Sequence, residues 1–250
     1  DEQSDWYPDI EDIRSKITDR TKAIVIINPN NPTGAVYPKE ILEQIADIAR
    51  EHELIIFSDE IYDRLVMDGY KHTSIASLAP DVFCVTFSGL SKSHMIAGFR
   101  IGWVAAGKQA RRIQQLQLMS TLSTSSPMQL ALVDYLSTKR YDAHLRRLRR
   151  QLAERKQQAW QALLRHLPPE VIVHHSDSGY FLWIELPEGA DASALSARAL
   201  ASHISIAPGK MFSTSDNWTS FFRFNTAWGW GEREEQGVKR LGELIREQLA

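Results

Sequence analysis

Four short apolar runs, each ended by a polar or glycine-rich cluster, constrain this chain most. They are "KAIVIINP" (Lys22 to Pro29), "LIIFSDE" (Leu54 to Glu60), "VFCVTFS" (Val82 to Ser88) and "RIGWVAAG" (Arg100 to Gly107). Short runs rich in isoleucine, valine and phenylalanine, without polar alternation, read as strands buried on both faces. Between the first two lies "YPKEILEQIADIAREHE". There Pro38 suits a first helical turn, and Ile41, Leu42, Ile45, Ile48 and Ala49 share one helical stripe. Apolar strands alternating with amphipathic helices predict an α/β fold, a mostly parallel sheet with helices on both faces.

From about Lys108 the pattern changes. Helices are expected at about 109–120, 125–138 and 140–167, then strands at "EVIVHHS", "SGYFLWIELPEG", "ISIAPG" and "FFRFNTA". A helix near Ser193–Ser202 and a closing helix carrying Val238, Leu241, Leu244, Ile245 and Leu249 complete the reading. This mixture predicts a smaller α+β domain over residues 139–250, after a larger one over 1–138. The long helix carries "HLRRLRRQLAERKQQAW", with a narrow stripe at Leu145, Leu148 and Leu152. Its arginines read as a solvated face, because the 250-residue chain has a net charge of only -2.

That near-neutral balance gives no reason to expect nucleic-acid binding by this chain. No apolar run approaches the roughly 20 residues of a membrane helix. The opening "DEQSDWYPD" lacks the basic end and apolar core of a signal peptide, so a cytoplasmic location is expected. The single cysteine, Cys84, excludes an internal disulfide and reads as an inert buried thiol.

Four clusters fall at or just after expected strand ends, where ligands gather in open α/β sheets. "NPNNPTG" (Asn28 to Gly34) is by itself a tight turn. "SDEIYD" (Ser58 to Asp63) is by itself a solvated strand end. "SGLSKSHMIAGFR" places Lys92 among serines and glycines, with Arg100 eight residues on. Arg223 lies in "FFRFN", paired with a buried carboxylate or facing a ligand carboxylate. Together they supply every group that pyridoxal phosphate needs. A lysine can form a Schiff base with its aldehyde, and an acid can hold its ring nitrogen protonated. Donors remain for its phenolic oxygen, and cationic and hydroxyl groups for its phosphate. Metal and serine-hydrolase sites fit less well. The eight histidines show no HExxH or Cys/His spacing, and no GxSxG is present.

In this order and spacing, "NPNNPTG", "SDEIY", "SGLSKSHMIAGFRIGW" and "FFRFN" resemble the class I/II aminotransferases, fold-type I pyridoxal-phosphate enzymes. The resemblance implies ping-pong transfer of an amino group between an amino acid and a 2-oxo acid, by a homodimer. The 1–138 domain would hold the cofactor. Lys92 would form the internal aldimine and then shuttle a proton. Asp59 would pair with the pyridinium nitrogen, and Asn31 and Tyr62 would bond the phenolic oxygen. Arg100, with Ser88 or Ser91, would bind the phosphate, since Gly89 stands where the family often has a hydroxyl. Arg223 would grip the substrate α-carboxylate, and Asn31 would also contact the substrate. Through about Trp103 the chain resembles alanine-type aminotransferases. From about Ala105 it resembles the aminotransferase-like domain of MocR/GntR regulators, which implies a ligand-sensing alternative. The family's chains begin well upstream of "DEQSDWYPD", which implies a shortened chain with weak or no turnover by itself.

Overall fold

The computed structural model describes residues 6–138, 140–215 and 217–249. The first five residues of the acidic opening lie outside them, as does Lys139, where the sequence places the start of the second domain. Chain contacts define two units. One holds the chain up to Asn31 together with Ala35–Leu148, and the other holds Pro32–Gly34 together with the chain from Arg149 on.

In the first unit, α1 (Ile10–Lys16) starts where the Asp9 carboxylate accepts from the Asp12 N–H at 3.0 Å. The cap satisfies one of the N–H groups left over at a helix start. Strand β1 (Ala23–Ile27) leads to α2 (Lys39–Glu51), whose stripe buries Leu42, Ile45, Ala46, Ile48 and Ala49. Pro38 is the cap residue just outside α2 rather than its first turn. Burying each large aliphatic side chain contributes about 1.5–3 kcal/mol. Then come β2 (Ile55–Asp59), α3 (Ile75–Leu78), β3 (Cys84–Gly89) and β4 (Gly102–Ala105). The sheet order is β1-β2-β3-β4, with β1, β2 and β3 parallel and β4 antiparallel to β3. Helices α4 (Ala110–Thr121) and α5 (Ser126–Leu136) follow, and of α6 (Arg140–His166) this unit holds the part up to Leu148.

Two expectations about burial need correction. Val25 in β1 is 70% exposed, and all of β4 is exposed. The register puts Val25, Phe57, Phe87 and Val104 on one face of the sheet. The core formed with α1, α2 and α3 gathers on the other, around Ile26 and Ile56. An all-apolar strand sequence carries no mark of which face a helix will cover. Cys84 is half-buried rather than buried, and that burial raises its thiol pKa.

The second unit has its own antiparallel sheet. Its strands are β5 (Ile172–His174), β6 (Phe181–Glu185), β7 (Ala207–Pro208) and β8 (Phe221–Asn225), in the order β5-β6-β8-β7. Helices α7 (Ala192–Ala201) and α8 (Glu232–Leu249) pack on it. Leu163, Leu182, Ile184, Leu195, Phe222, Leu241 and Ile245 form its core. Among the described residues no helix is long and apolar enough to cross a membrane.

Gly34 belongs to this unit and has φ +79°. A Cβ there would collide with Ser176 Oγ and lie 2.9 Å from Ser176 Cβ. Left-handed strain and overpacking both oppose any side chain. Gly34→Ala is therefore expected to cost about 2–4 kcal/mol in denaturant unfolding. A loss below about 0.5 kcal/mol would show that the close approach does not exist.

Candidate active site

The parallel register brings three of the clusters to one edge of the first sheet. Ile27 pairs with Asp59, and Asp59 with Phe87, so β1, β2 and β3 end side by side. Asn28 to Asn31 follow β1, Asp59 ends β2, and Ser88 and Gly89 end β3. Because β4 runs the other way, its start lies beside the end of β3, with Gly89 opposite Gly102. Arg100, two residues before Gly102, comes to the same edge.

Within that edge, Asp59 Oδ1 accepts from the Ile61 N–H at 3.0 Å, which fixes the carboxylate over the turn into Tyr62. Tyr62 is buried, and Lys92 Nζ lies 5.9 Å from the centroid of its ring. That is cation–π distance, so Lys92 and Tyr62 meet before any ligand arrives. Ser88 Oγ donates to the Glu60 carbonyl at 3.3 Å. Ser91 is half-buried, and among the described residues its hydroxyl makes no hydrogen bond. Arg100 has φ +55°, is exposed, and donates from Nη1 to the Ala97 carbonyl at 3.0 Å. It caps a short turn rather than opening β4, because the strand begins at Gly102. Around Asn31 the loop is braced by its neighbours. Asn28 Oδ1 accepts from the Tyr37 N–H at 2.9 Å, and Asn30 Nδ2 donates to the Tyr37 hydroxyl at 2.9 Å. Burial pushes that hydroxyl's pKa up to about 12, so it remains a phenol.

Gly89 has a structural reason to be small. A Cβ there would lie 3.1 Å from the Ile101 carbonyl oxygen and 3.2 Å from Gly102 Cα, so it lets β3 and β4 close on each other.

Arg223 sits on β8 in the second unit, opposite Trp183 and Ala207. Its guanidinium lies 5.3 Å from the Phe181 ring and 5.1 Å from the Phe212 ring. Two aromatic faces hold the cation in one orientation. Phe181 and Trp183 are core residues, with Trp183 stacked on Phe221 at 5.4 Å.

Two groups escaped the sequence reading. Glu60 is buried next to Asp59 and gathers a network. Its Oε1 accepts from Ser58 Oγ at 3.0 Å and Ser74 Oγ at 2.7 Å, and its Oε2 meets His72 Nε2 at 3.1 Å. The network locks the end of β2 from the side opposite Asp59. Its signal was a second carboxylate after a buried serine. His94 follows Lys92 by two residues. It stacks on His144 at 4.6 Å and on Tyr141 at 5.2 Å. His144 Nε2 donates to the Ser93 carbonyl at 3.1 Å, which assigns the proton to that nitrogen because the acceptor is a carbonyl. Burial and then the neighbouring His144 push His94 down to about 4, so it is neutral at pH 7. The residue after Lys92 is thereby tied to α6.

By type the groups suit pyridoxal phosphate: an amine, a carboxylate, a phenol, a guanidinium and an uncommitted hydroxyl, carried by residues at or near the ends of adjacent strands.

Known proteins similar to this chain identify its family. The profile described as "Aminotransferase class I and II" matches residues 1–241. The uncharacterised HTH-type transcriptional regulator YdcR of Escherichia coli K12 is 60% identical over 225 residues, covering 90% of this chain and 48% of that protein. The glutamate-pyruvate aminotransferase AlaA of the same strain is 47% identical over 173 residues, covering 65% of this chain and 42% of that one. The chain thus spans about half the length of these relatives. An aminotransferase structure from Escherichia coli superposes with TM-score 0.85 at 35% identity, covering all of this chain and 63% of its own. The alanine aminotransferase from Pyrococcus furiosus gives 0.86 at 31%, covering 99% and 63%. With a match over nearly its whole length, the chain belongs to the class I and II aminotransferase family.

Proposed function

We propose that this chain is the lysine-bearing part of a pyridoxal-phosphate-dependent aminotransferase. It would move an amino group between an amino acid and a 2-oxo acid. The observation that carries the reading is the meeting of Lys92 with Tyr62 at the strand ends where Asp59 also lies. Members of the family are generally pyridoxal-phosphate-dependent. The bound cofactor supplies an aldehyde for the amino group and a conjugated ring that stabilises charge at the substrate α-carbon.

The chain's own residues do the rest. Asp59 holds the ring nitrogen protonated, and Asn31 and Tyr62 donate to the phenolic oxygen. Arg100 supplies fixed positive charge to the phosphate. Ser91 supplies a hydroxyl, since Ser88 is already committed to the Glu60 carbonyl. Ser91→Ala should therefore weaken cofactor binding about tenfold, the value of one charge-assisted hydrogen bond. Ser88→Ala should change it less than about threefold. Titration by visible absorbance compares the two, and the reverse ranking would reassign the phosphate contact. Lys92 Nζ anchors the cofactor and then moves the proton at the substrate α-carbon. Arg223 grips the substrate carboxylate in its two-pronged fork. The substrates are small molecules, and the working unit is a homodimer.

The test mixes the protein with pyridoxal phosphate, reduces with borohydride and maps the adduct by mass spectrometry. A visible band and one adduct at Lys92 are expected. Adducts scattered over surface lysines would overturn the site. The 60% identity to YdcR supports a second reading, a cofactor-binding sensor domain of a transcriptional regulator. Steady amino transfer from alanine or glutamate favours the enzyme. DNA binding by a longer parent protein, without transfer, favours the sensor.

A further inference from the structure

We propose that Lys156 is a positioning residue for the Asn31 loop. It fixes the Ser176–Ser178 turn, and that turn holds Pro32–Gly34, the residues that follow Asn31 directly. The inference rests on reading Asn31 as a cofactor ligand.

Lys156 lies on α6 at the spacing of the buried stripe, four residues after Leu152 and three before Ala159. It is buried where an aliphatic side chain is the ordinary occupant. Its Nζ donates to the Ser178 carbonyl at 2.8 Å, the Ser176 carbonyl at 3.0 Å and Ser176 Oγ at 3.1 Å. Those three acceptors use all three N–H bonds of an ammonium. Ser176 Oγ in turn donates to the Ser178 carbonyl at 2.9 Å, and Ser178 Oγ donates to the Gly34 carbonyl at 2.9 Å. Ser176 and Ser178 are themselves buried. The network therefore runs without a break from α6 to Gly34, and it meets Gly34 where no Cβ is tolerated.

Burying an ammonium is costly, and an apolar residue at such a position often stabilises as well or better. A lysine here makes sense through what it holds. Without it the Ser176 carbonyl loses the donor it has among the described residues, the turn loosens, and the grip on Gly34 goes with it. Asn31 is peptide-bonded to Pro32, so its amide inherits that freedom. Asp177 is the nearby carboxylate that favours the charged lysine, and it is itself paired with His175 Nδ1 at 2.9 Å.

The experiment uses the full chain with Lys156→Met and Ser178→Ala. The first removes the amine, and the second removes only the link to Gly34. Amide hydrogen exchange of a peptide spanning Asn28–Tyr37 is read first, without cofactor. Both variants should exchange there at least about tenfold faster than the parent, with α2 unchanged. Loaded with pyridoxal phosphate, both should also shift the pH midpoint of the visible band by about half a unit or more, since the phenolic-oxygen donor is displaced. Unchanged exchange in the folded Ser178→Ala variant overturns the proposal, even if Lys156→Met fails to fold. If the parent gives no Lys92 adduct, the cofactor reading fails, while the exchange comparison still decides whether Lys156 holds the loop.

Discussion

Lys92→Ala is expected to lose every borohydride-stable adduct with pyridoxal phosphate and to cut any amino transfer by at least about a thousand-fold. The two losses share one cause. Under the proposed function the amine would be both the covalent anchor and the base at the substrate α-carbon. Its removal should barely touch the fold. Lys92 is half-buried, and its amine lies beside the Tyr62 ring rather than in an ion pair shown among the described residues. The unfolding free energy should change by less than about 0.5 kcal/mol, as for most substitutions that break no buried network. Lys92→Arg separates the roles, because it keeps a cation near Tyr62 and cannot form the adduct. An adduct that survives in Lys92→Ala would show that another amine is the anchor.

The second large effect is in stability. Burial pushes Lys156 down to about 7, and Asp177 only partly offsets it. In the unfolded chain the amine returns to about 10.4. Between those values the unfolded chain binds more protons, so the parent should gain stability as pH rises through 7. Below pH 7 both states are protonated and the gain is absent. Against Lys156→Met, which has no such group, the parent should gain about 2–3 kcal/mol between pH 6 and pH 9. Denaturant unfolding of both proteins at several pH values measures the difference. A flat difference would mean that the amine is hydrated rather than buried.

The residues that were legible in the sequence, and those that were not, differ in physical kind. Strands β1, β2 and β3 and helix α2 could be read because each has a local period: an unbroken apolar run, or a stripe at three and four residues. The strand-end clusters were legible because parallel strands must return their polar ends to one side. Lys156 was hidden by its own neighbourhood. In "RRLRRQLAERKQQ" one cation among many reads as surface, and only its spacing from Leu152 and Ala159 sets it apart. Glu60 was hidden because its partners Ser74 and His72 are more than ten residues away. Val25 misled for the opposite reason, since an isoleucine-rich strand looks the same whether one face or both are covered. The proposed preference for Ser91 over Ser88 rests on a single contact, Ser88 Oγ to the Glu60 carbonyl, which no spacing rule contains.

Residues 32–34 come from the first seventh of the chain yet complete the second unit. This has an evolutionary consequence. The C-terminal portion is not a freely exchangeable cassette, because its Ser176–Ser178 turn is shaped to a tripeptide encoded more than a hundred codons earlier. A crossover between related genes anywhere between the two must reunite a residue without a side chain at 34 with a small one at 176. Hybrids that break this match should be lost as misfolded products, and those that keep it can draw their halves from different ancestors.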